Sequence, residues 1–318
     1  MDGNGIEERE VAQDMSPFMI LFKDGSIQRL EGNETVPPLQ VPSQTISKDV
    51  VYSSQLNLRC RVFMPGDIIP GQKLPLLVYY HGGGFTLSSP FTPTYNNYVG
   101  SLVKEASVVA VSVDYRLAPE SPIPAAYEDS WAALKWIASH CGGDGPEEWL
   151  NRYADLGNVF LAGDSAGANI CHFMCTKNSE EVLEGVRIAG SVLIHPYFWG
   201  SEPIGKEPIE KEERELPEKL WQFASPNSDG CNDHRINPHL DPRFGSLSCK
   251  KVLIIVAESD MLRDRGFLYY EKLKESGWNG VVEFTEVDGE QHVFHLFNPN
   301  SDKAVAMLKR VASFIKCN

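Results

Sequence analysis

A serine set between glycines, Gly163-Asp164-Ser165-Ala166-Gly167, and a glycine loop, His81-Gly82-Gly83-Gly84, are the residues of this chain whose types and spacing suit covalent chemistry. In a Gly-x-Ser-x-Gly turn the glycines allow a sharp passage from strand to helix, which lifts the serine hydroxyl clear of the sheet at a helix N-terminus. Ser165 is the expected nucleophile. The glycine loop carries no side chain at three positions, so its backbone N–H groups can approach a substrate oxygen unobstructed. Gly83 and Gly84, with the N–H of Ala166, are the expected oxyanion hole. A lone Gly-x-Ser-x-Gly is a weak signal in a chain rich in both residues, whereas His-Gly-Gly-Gly is far rarer, and each here follows an apolar run.

A serine hydroxyl needs a base to take its proton and a third group to orient that base. In this architecture the order along the chain is Ser, acid, His, with the histidine in a loop near the C-terminus. His292 and His295 are the two late candidates. His292 follows the strand-like run Val281 to Val287 and the polar turn Asp288-Gly289-Glu290-Gln291, whereas His295 opens a more apolar stretch and reads as a packed residue. For the acid, Asp260 lies just past the carboxyl end of the apolar run Lys251 to Ala257. Asp264 falls one helical turn later, where a carboxylate suits the positive end of a helix, and Asp288 reads as a turn residue.

The elements that must position these groups alternate along the chain. After an early β region, about residues 45–64, apolar strands are expected at 74–80, 107–115, 158–162, 188–195, 251–257 and 281–287. Helical patterns fall between them, as in Asp129 to His140 with its stripe of Trp131, Leu134, Trp136 and Ile137. Such alternation implies an α/β fold with a mainly parallel sheet, helices on its faces, and a site at the carboxyl ends of the strands. The pattern breaks between Pro196 and Ser248, where Pro, Gly and charge are dense. That stretch is the expected lid, with the run Lys206 to Lys219 as a solvated helix face.

With these residues in view, the chain resembles a plant carboxylesterase of the hormone-sensitive-lipase branch of the α/β hydrolases. The resemblance rests on His81-Gly82-Gly83-Gly84-Phe85, Asp114-Tyr115-Arg116-Leu117-Ala118-Pro119-Glu120, Pro124-Ala125-Ala126-Tyr127-Glu128-Asp129 and Gly163 to Gly167, with Ser259 to Asp264 and His292-Val293-Phe294. The opening Phe22 to Ser26 and closing Ala312 to Ile315 are similar to that group as well. Carried over by position, the resemblance implies Ser165, Asp260 and His292 as the triad. It also implies that the N-terminal segment packs with the lid over the pocket, so the single domain 1–318 is expected to carry a lid made of about 1–40 and 196–248. Phe18, Phe22, Phe85, Trp199 and Trp221 are candidate walls of an apolar pocket. Related gibberellin receptors bind without turnover and have the catalytic histidine position changed, whereas this chain has His292. The alternative that the resemblance leaves is a lyase, cyclase or dehydratase of plant specialised metabolism, although such relatives tend to carry replacements among the esterase residues that this chain retains.

Composition agrees with one enzyme-sized domain of 318 residues. The expected partner is a small-molecule ester. A formal charge of −14 argues against nucleic acid or an anionic membrane surface as partner. No run of about 18 apolar residues is present, and the polar start, Met1 to Asp14, lacks a secretion pattern, so a cytoplasmic protein is expected. Seven scattered cysteines suit reduced thiols rather than a disulfide framework or zinc site. No metal or organic cofactor is expected.

Overall fold

The computed structural model describes residues 9–41 and 44–317; the first eight residues of the expected lid segment lie outside them. Three short N-terminal strands, β1 (Val11–Met15), β2 (Met19–Phe22) and β3 (Ile27–Arg29), form a small antiparallel sheet of their own. The chain then enters a nine-stranded sheet through β4 (Gln40–Val41), β5 (Thr45–Ser53) and β6 (Leu58–Pro65), which are antiparallel to their neighbours. The early β region is thus two long strands joined by a turn.

The rest of the sheet is parallel. Its strands are β7 (Leu74–Tyr80), β8 (Val109–Asp114), β9 (Ala154–Asp164), β10 (Ile188–Ile194), β11 (Lys251–Ala257) and β12 (Val281–Val287), in the spatial order β12-β11-β10-β9-β7-β8 before β6. Both faces are covered, which explains the continuous apolar runs. In β7, Leu76, Val78 and Tyr80 enter one core while Leu77 and Tyr79 enter the other. Helices α1 (Pro93–Ala106) and α8 (Asp302–Lys316) fill the second face, and α2 (Ala125–Ala138), α4 (Ala166–Glu180) and α6 (Arg263–Glu275) the first. The short α3 (Glu148–Tyr153) leads into β9.

Chain order and spatial order part company at β7. The chain goes from β7 to β8 on one side and returns to β9 on the other, so the carboxyl ends of β7 and β9 flank a topological switch point, where loops diverge and a crevice opens. The glycine loop follows β7. The Gly163 to Gly167 turn follows β9. The two signatures are therefore neighbours in space although about eighty residues apart in the chain.

Between β10 and β11 lie α5 (Lys211–Ala224) and two single 3₁₀ turns, Gly230–Asn232 and Pro238–Leu240. The expected solvated face of Lys206 to Lys219 holds for most of the run, but Arg214 and Glu207 are buried. Arg214 bonds Glu207 at 2.8 Å, and Arg265 from α6 pairs with the same carboxylate. A short α7 (Phe294–Phe297) precedes α8.

Candidate active site

Ser165 sits between β9 and α4 with φ 52° and ψ −118°, a strained conformation for a residue with a side chain. The flanking glycines make this turn possible. A Cβ on Gly163 would run into the Gly167 backbone, and one on Gly167 into the carbonyl of Tyr80 at the end of β7. Ser165 N–H donates to Ile194 O at 2.9 Å and its carbonyl accepts from Tyr197 N–H at 3.0 Å, so the elbow is tied to the end of β10.

The Ser165 Oγ lies 3.0 Å from His292 Nε2, and His292 Nδ1 lies 2.6 Å from Asp260 Oδ2. Asp260 follows β11; its Oδ1 accepts the Leu262 N–H at 2.9 Å. Burial alone would raise the Asp260 carboxyl, but His292, His195 and the Leu262 N–H bring it below the usual carboxylate value. Burial likewise disfavours the His292 imidazolium, and Asp260, helped by Asp164, outweighs it and raises that pKa above 6.5. The three side chains thus form one hydrogen-bonded chain across the ends of β9, β11 and β12.

The other candidates from the sequence sit elsewhere. His295 is 1% exposed, packs on Tyr98 with ring centroids 4.7 Å apart, and is pushed by burial to about 3. The Asp264 carboxylate accepts the Lys206 N–H and pairs with Arg263, joining α6 to the segment before α5. Asp288 lies in the turn after β12, where its carbonyl accepts from Lys303.

In the glycine loop, Gly83 and Gly84 have φ of 99° and 59°, and Gly83 O accepts the N–H groups of Thr86 and Leu87 at 2.9 Å each. The loop is braced by the segment after β8. Tyr115 Oη donates to His81 O at 2.6 Å, its ring stacks on His81 at 4.2 Å, and Ala118 N–H donates to Phe85 O at 2.9 Å. Arg116 in turn is gripped by Asp129 of α2. The Asp114 to Glu120 motif is therefore a scaffold for the glycine loop. Arg29 of β3 reaches over it, donating to Thr86 O at 2.7 Å and Ala118 O at 3.0 Å while pairing with Glu120.

The expected pocket aromatics divide into groups. Phe85 and Trp221 pack edge to face at 6.0 Å, with Tyr127 and Tyr197 beside Phe85. Phe18 joins Met15, Met19 and Leu87 with Leu220 and Phe223 of α5, so the N-terminal sheet and α5 meet there. Leu220 also approaches the Gly84 position. Trp199 is fully buried with Arg214 and Arg265 over its ring at 4.7 and 5.4 Å, and Phe22 carries Arg9 at 3.9 Å.

Two site residues escaped the sequence reading. His195, directly after β10 with φ 45°, is 1% exposed and its Nδ1 accepts the Val293 N–H at 2.8 Å, next to His292. A ring nitrogen of His195 falls within 4.8 Å of the Asp260 and His292 donor atoms; in this His-Asp-His grouping Asp260 and His292 bond each other, while His195 Nδ1 is taken by the Val293 N–H. The second is Asp164, held by Tyr79 and Tyr95. Its position before Ser165 was visible, but its tyrosine partners come from other elements.

A family described as alpha/beta hydrolase fold matches residues 77–296. Probable carboxylesterase 13 of Arabidopsis thaliana is 48% identical over 97% of this chain and 99% of its own length. Probable carboxylesterase 4, mitochondrial, of the same plant is 46% identical over 96% of this chain and 84% of its own. Among solved structures, a hyperthermophilic esterase from the archaeon Pyrobaculum calidifontis is similar, with a TM-score of 0.70, 29% identity and 85% of each chain covered. The chain belongs to the α/β-hydrolase family, in the branch that holds the plant carboxylesterases.

Proposed function

We propose that this protein is a serine carboxylesterase that cleaves small-molecule esters through an acyl-enzyme on Ser165. His292 takes the Ser165 proton as the oxygen attacks the carbonyl and returns it to the leaving alcohol, while Asp260 holds the imidazole in the useful tautomer and offsets its transient charge. Gly83, Gly84 and Ala166 donate to the developing oxyanion. Water then repeats the sequence on the acyl group. The observation that carries this reading is the contact chain of 3.0 and 2.6 Å from Ser165 through His292 to Asp260, beside the glycine loop.

The segments 9–40 and 196–248 act as the lid of one domain, a reading supported by the meeting of Phe18 with Leu220 and Phe223. Phe85 and Trp221, both buried, back an apolar site suited to a short or medium acyl group, and Phe18 joins it through Leu220. Trp199, flanked by two guanidinium groups, serves lid packing instead. No helix among the described residues is long and apolar enough to cross a membrane. Seven free cysteines suit a reducing compartment, for which we take the cytosol. Import of a fluorescent fusion into mitochondria, the compartment in one relative's name, would overturn that assignment.

A panel of p-nitrophenyl esters from acetate to palmitate, run beside acetylated plant metabolites, tests the function. Turnover should be greatest on acetate or butyrate and fall steeply toward palmitate. A rise with chain length would make the protein a lipase, and no turnover of any ester would remove the esterase reading.

A further inference from the structure

Asp164 is a buried carboxylate, 1% exposed, that takes no direct part in the proton transfers described above. Among the described residues no Lys or Arg pairs with it; the hydroxyls of Tyr79 and Tyr95 donate to its two oxygens, each at 2.7 Å. Burying a carboxylate without a cation is costly, so the fold retains it at the expense of stability. The two tyrosines differ in one respect. Tyr95 Oη also accepts the N–H of Gly82 at 2.8 Å, and Tyr79 Oη makes no such bond. Gly82 in turn lies directly on the carboxylate, because a Cβ there would collide with Asp164 Oδ2 and crowd Tyr95 Oη at 2.9 Å. The glycine loop is therefore fastened on two sides: Tyr115 holds the His81 carbonyl and Tyr95 holds the Gly82 N–H.

We propose that Asp164 and Tyr95 are positioning residues for the oxyanion hole. The carboxylate fixes the Tyr95 hydroxyl with its proton turned inward, which leaves the hydroxyl oxygen to accept Gly82 N–H and sets the peptide that leads into Gly83 and Gly84. Asp164 precedes Ser165, so one side chain ties the loop after β7 to the elbow after β9. The hole and the nucleophile then move together. A charged acceptor does this better than a neutral one, since a hydrogen bond to a carboxylate is about twice as strong and polarises the hydroxyl that receives the next bond. This inference rests on the esterase reading, and its readouts include one that needs no ester.

The test compares Tyr95→Phe with Tyr79→Phe. Each variant keeps its ring and removes one donor from Asp164, but only Tyr95→Phe orphans the Gly82 N–H. Both kcat on p-nitrophenyl butyrate and the rate of Ser165 labelling by a fluorophosphonate should fall about 10- to 100-fold in Tyr95→Phe, with KM within about threefold, as expected for donors displaced by a fraction of an ångström. Tyr79→Phe should cost no more than about threefold in either rate. Thermal midpoints should fall alike in the two. Equal rate losses would mean that the hydroxyls only solvate the carboxylate, and near-native labelling in Tyr95→Phe would remove the relay outright. Should Tyr95→Phe yield no folded protein, Asp164→Asn serves: a kcat loss at unchanged KM supports the relay and native kcat overturns it. A native protein that labels but cleaves no ester still reports the relay through the labelling ratio, while the esterase reading falls. A native protein that resists labelling ends both.

Discussion

Replacing Asp260 with Asn should cost this enzyme about 10³- to 10⁴-fold in kcat, and the structure shows why the amide cannot adapt. Asp260 Oδ1 accepts the Leu262 N–H at 2.9 Å, while Oδ2 faces His292 Nδ1 at 2.6 Å. An asparagine must keep its oxygen on the Leu262 side, since the reverse would set one N–H against another. Its NH₂ then faces Nδ1 and forces that nitrogen to accept. The imidazole proton moves to Nε2, 3.0 Å from Ser165 Oγ, where a base is required. The expected loss corresponds to about 4–5.5 kcal/mol of transition-state stabilisation. Asp264→Asn is the matched control, because its oxygen can still accept the Lys206 N–H; it should change kcat less than about threefold and lower stability by about 1–2 kcal/mol. Steady-state kinetics on p-nitrophenyl butyrate, with folding checked by circular dichroism, decide the matter. The reverse ranking would show that the wrong carboxylate had been placed in the triad.

Three further outcomes follow from the same geometry. His292 must be neutral to act as base and its pKa is raised, so kcat/KM should fall as pH drops through a value above 6.5; a limb below 6.5 in a pH–rate profile contradicts the Asp260 interaction. Glu207→Gln leaves the Arg214 and Arg265 guanidinium groups buried without their shared carboxylate, and urea unfolding should show a loss of about 3–5 kcal/mol, with less than about 1 kcal/mol refuting a structural clamp. Ser165→Gly relieves a φ of 52° and should raise stability by about 1 kcal/mol while abolishing turnover; a fall in thermal midpoint would mean the elbow stores no strain.

Local pattern revealed the strands because a parallel sheet buried on both faces needs long apolar runs, and β7 and β11 are such runs. It was weaker at ends. The 107–115 strand begins at Val109, and the 158–162 strand runs back to Ala154 along β7. Ser165, Asp260 and His292, which meet in one hydrogen-bonded chain, could be singled out because each follows a strand in a fixed order. Residues that work through distant partners were not. Nothing near Asp164 in sequence announces Tyr79 and Tyr95, and His195 acts through a backbone N–H that any residue at 293 other than proline would supply. Arg214 looked like one charge in a solvated run because its partners Glu207 and Arg265 meet it only when α5 packs against α6.

During turnover an acyl group is expected to pass through Ser165. Rapid mixing with p-nitrophenyl butyrate, followed by acid quench and intact-protein mass spectrometry, should show a transient butyryl adduct. Peptide mapping should place it on Ser165, and Ser165→Ala should show neither adduct nor turnover. An adduct on another residue, or near-native hydrolysis by Ser165→Ala, would contradict the account.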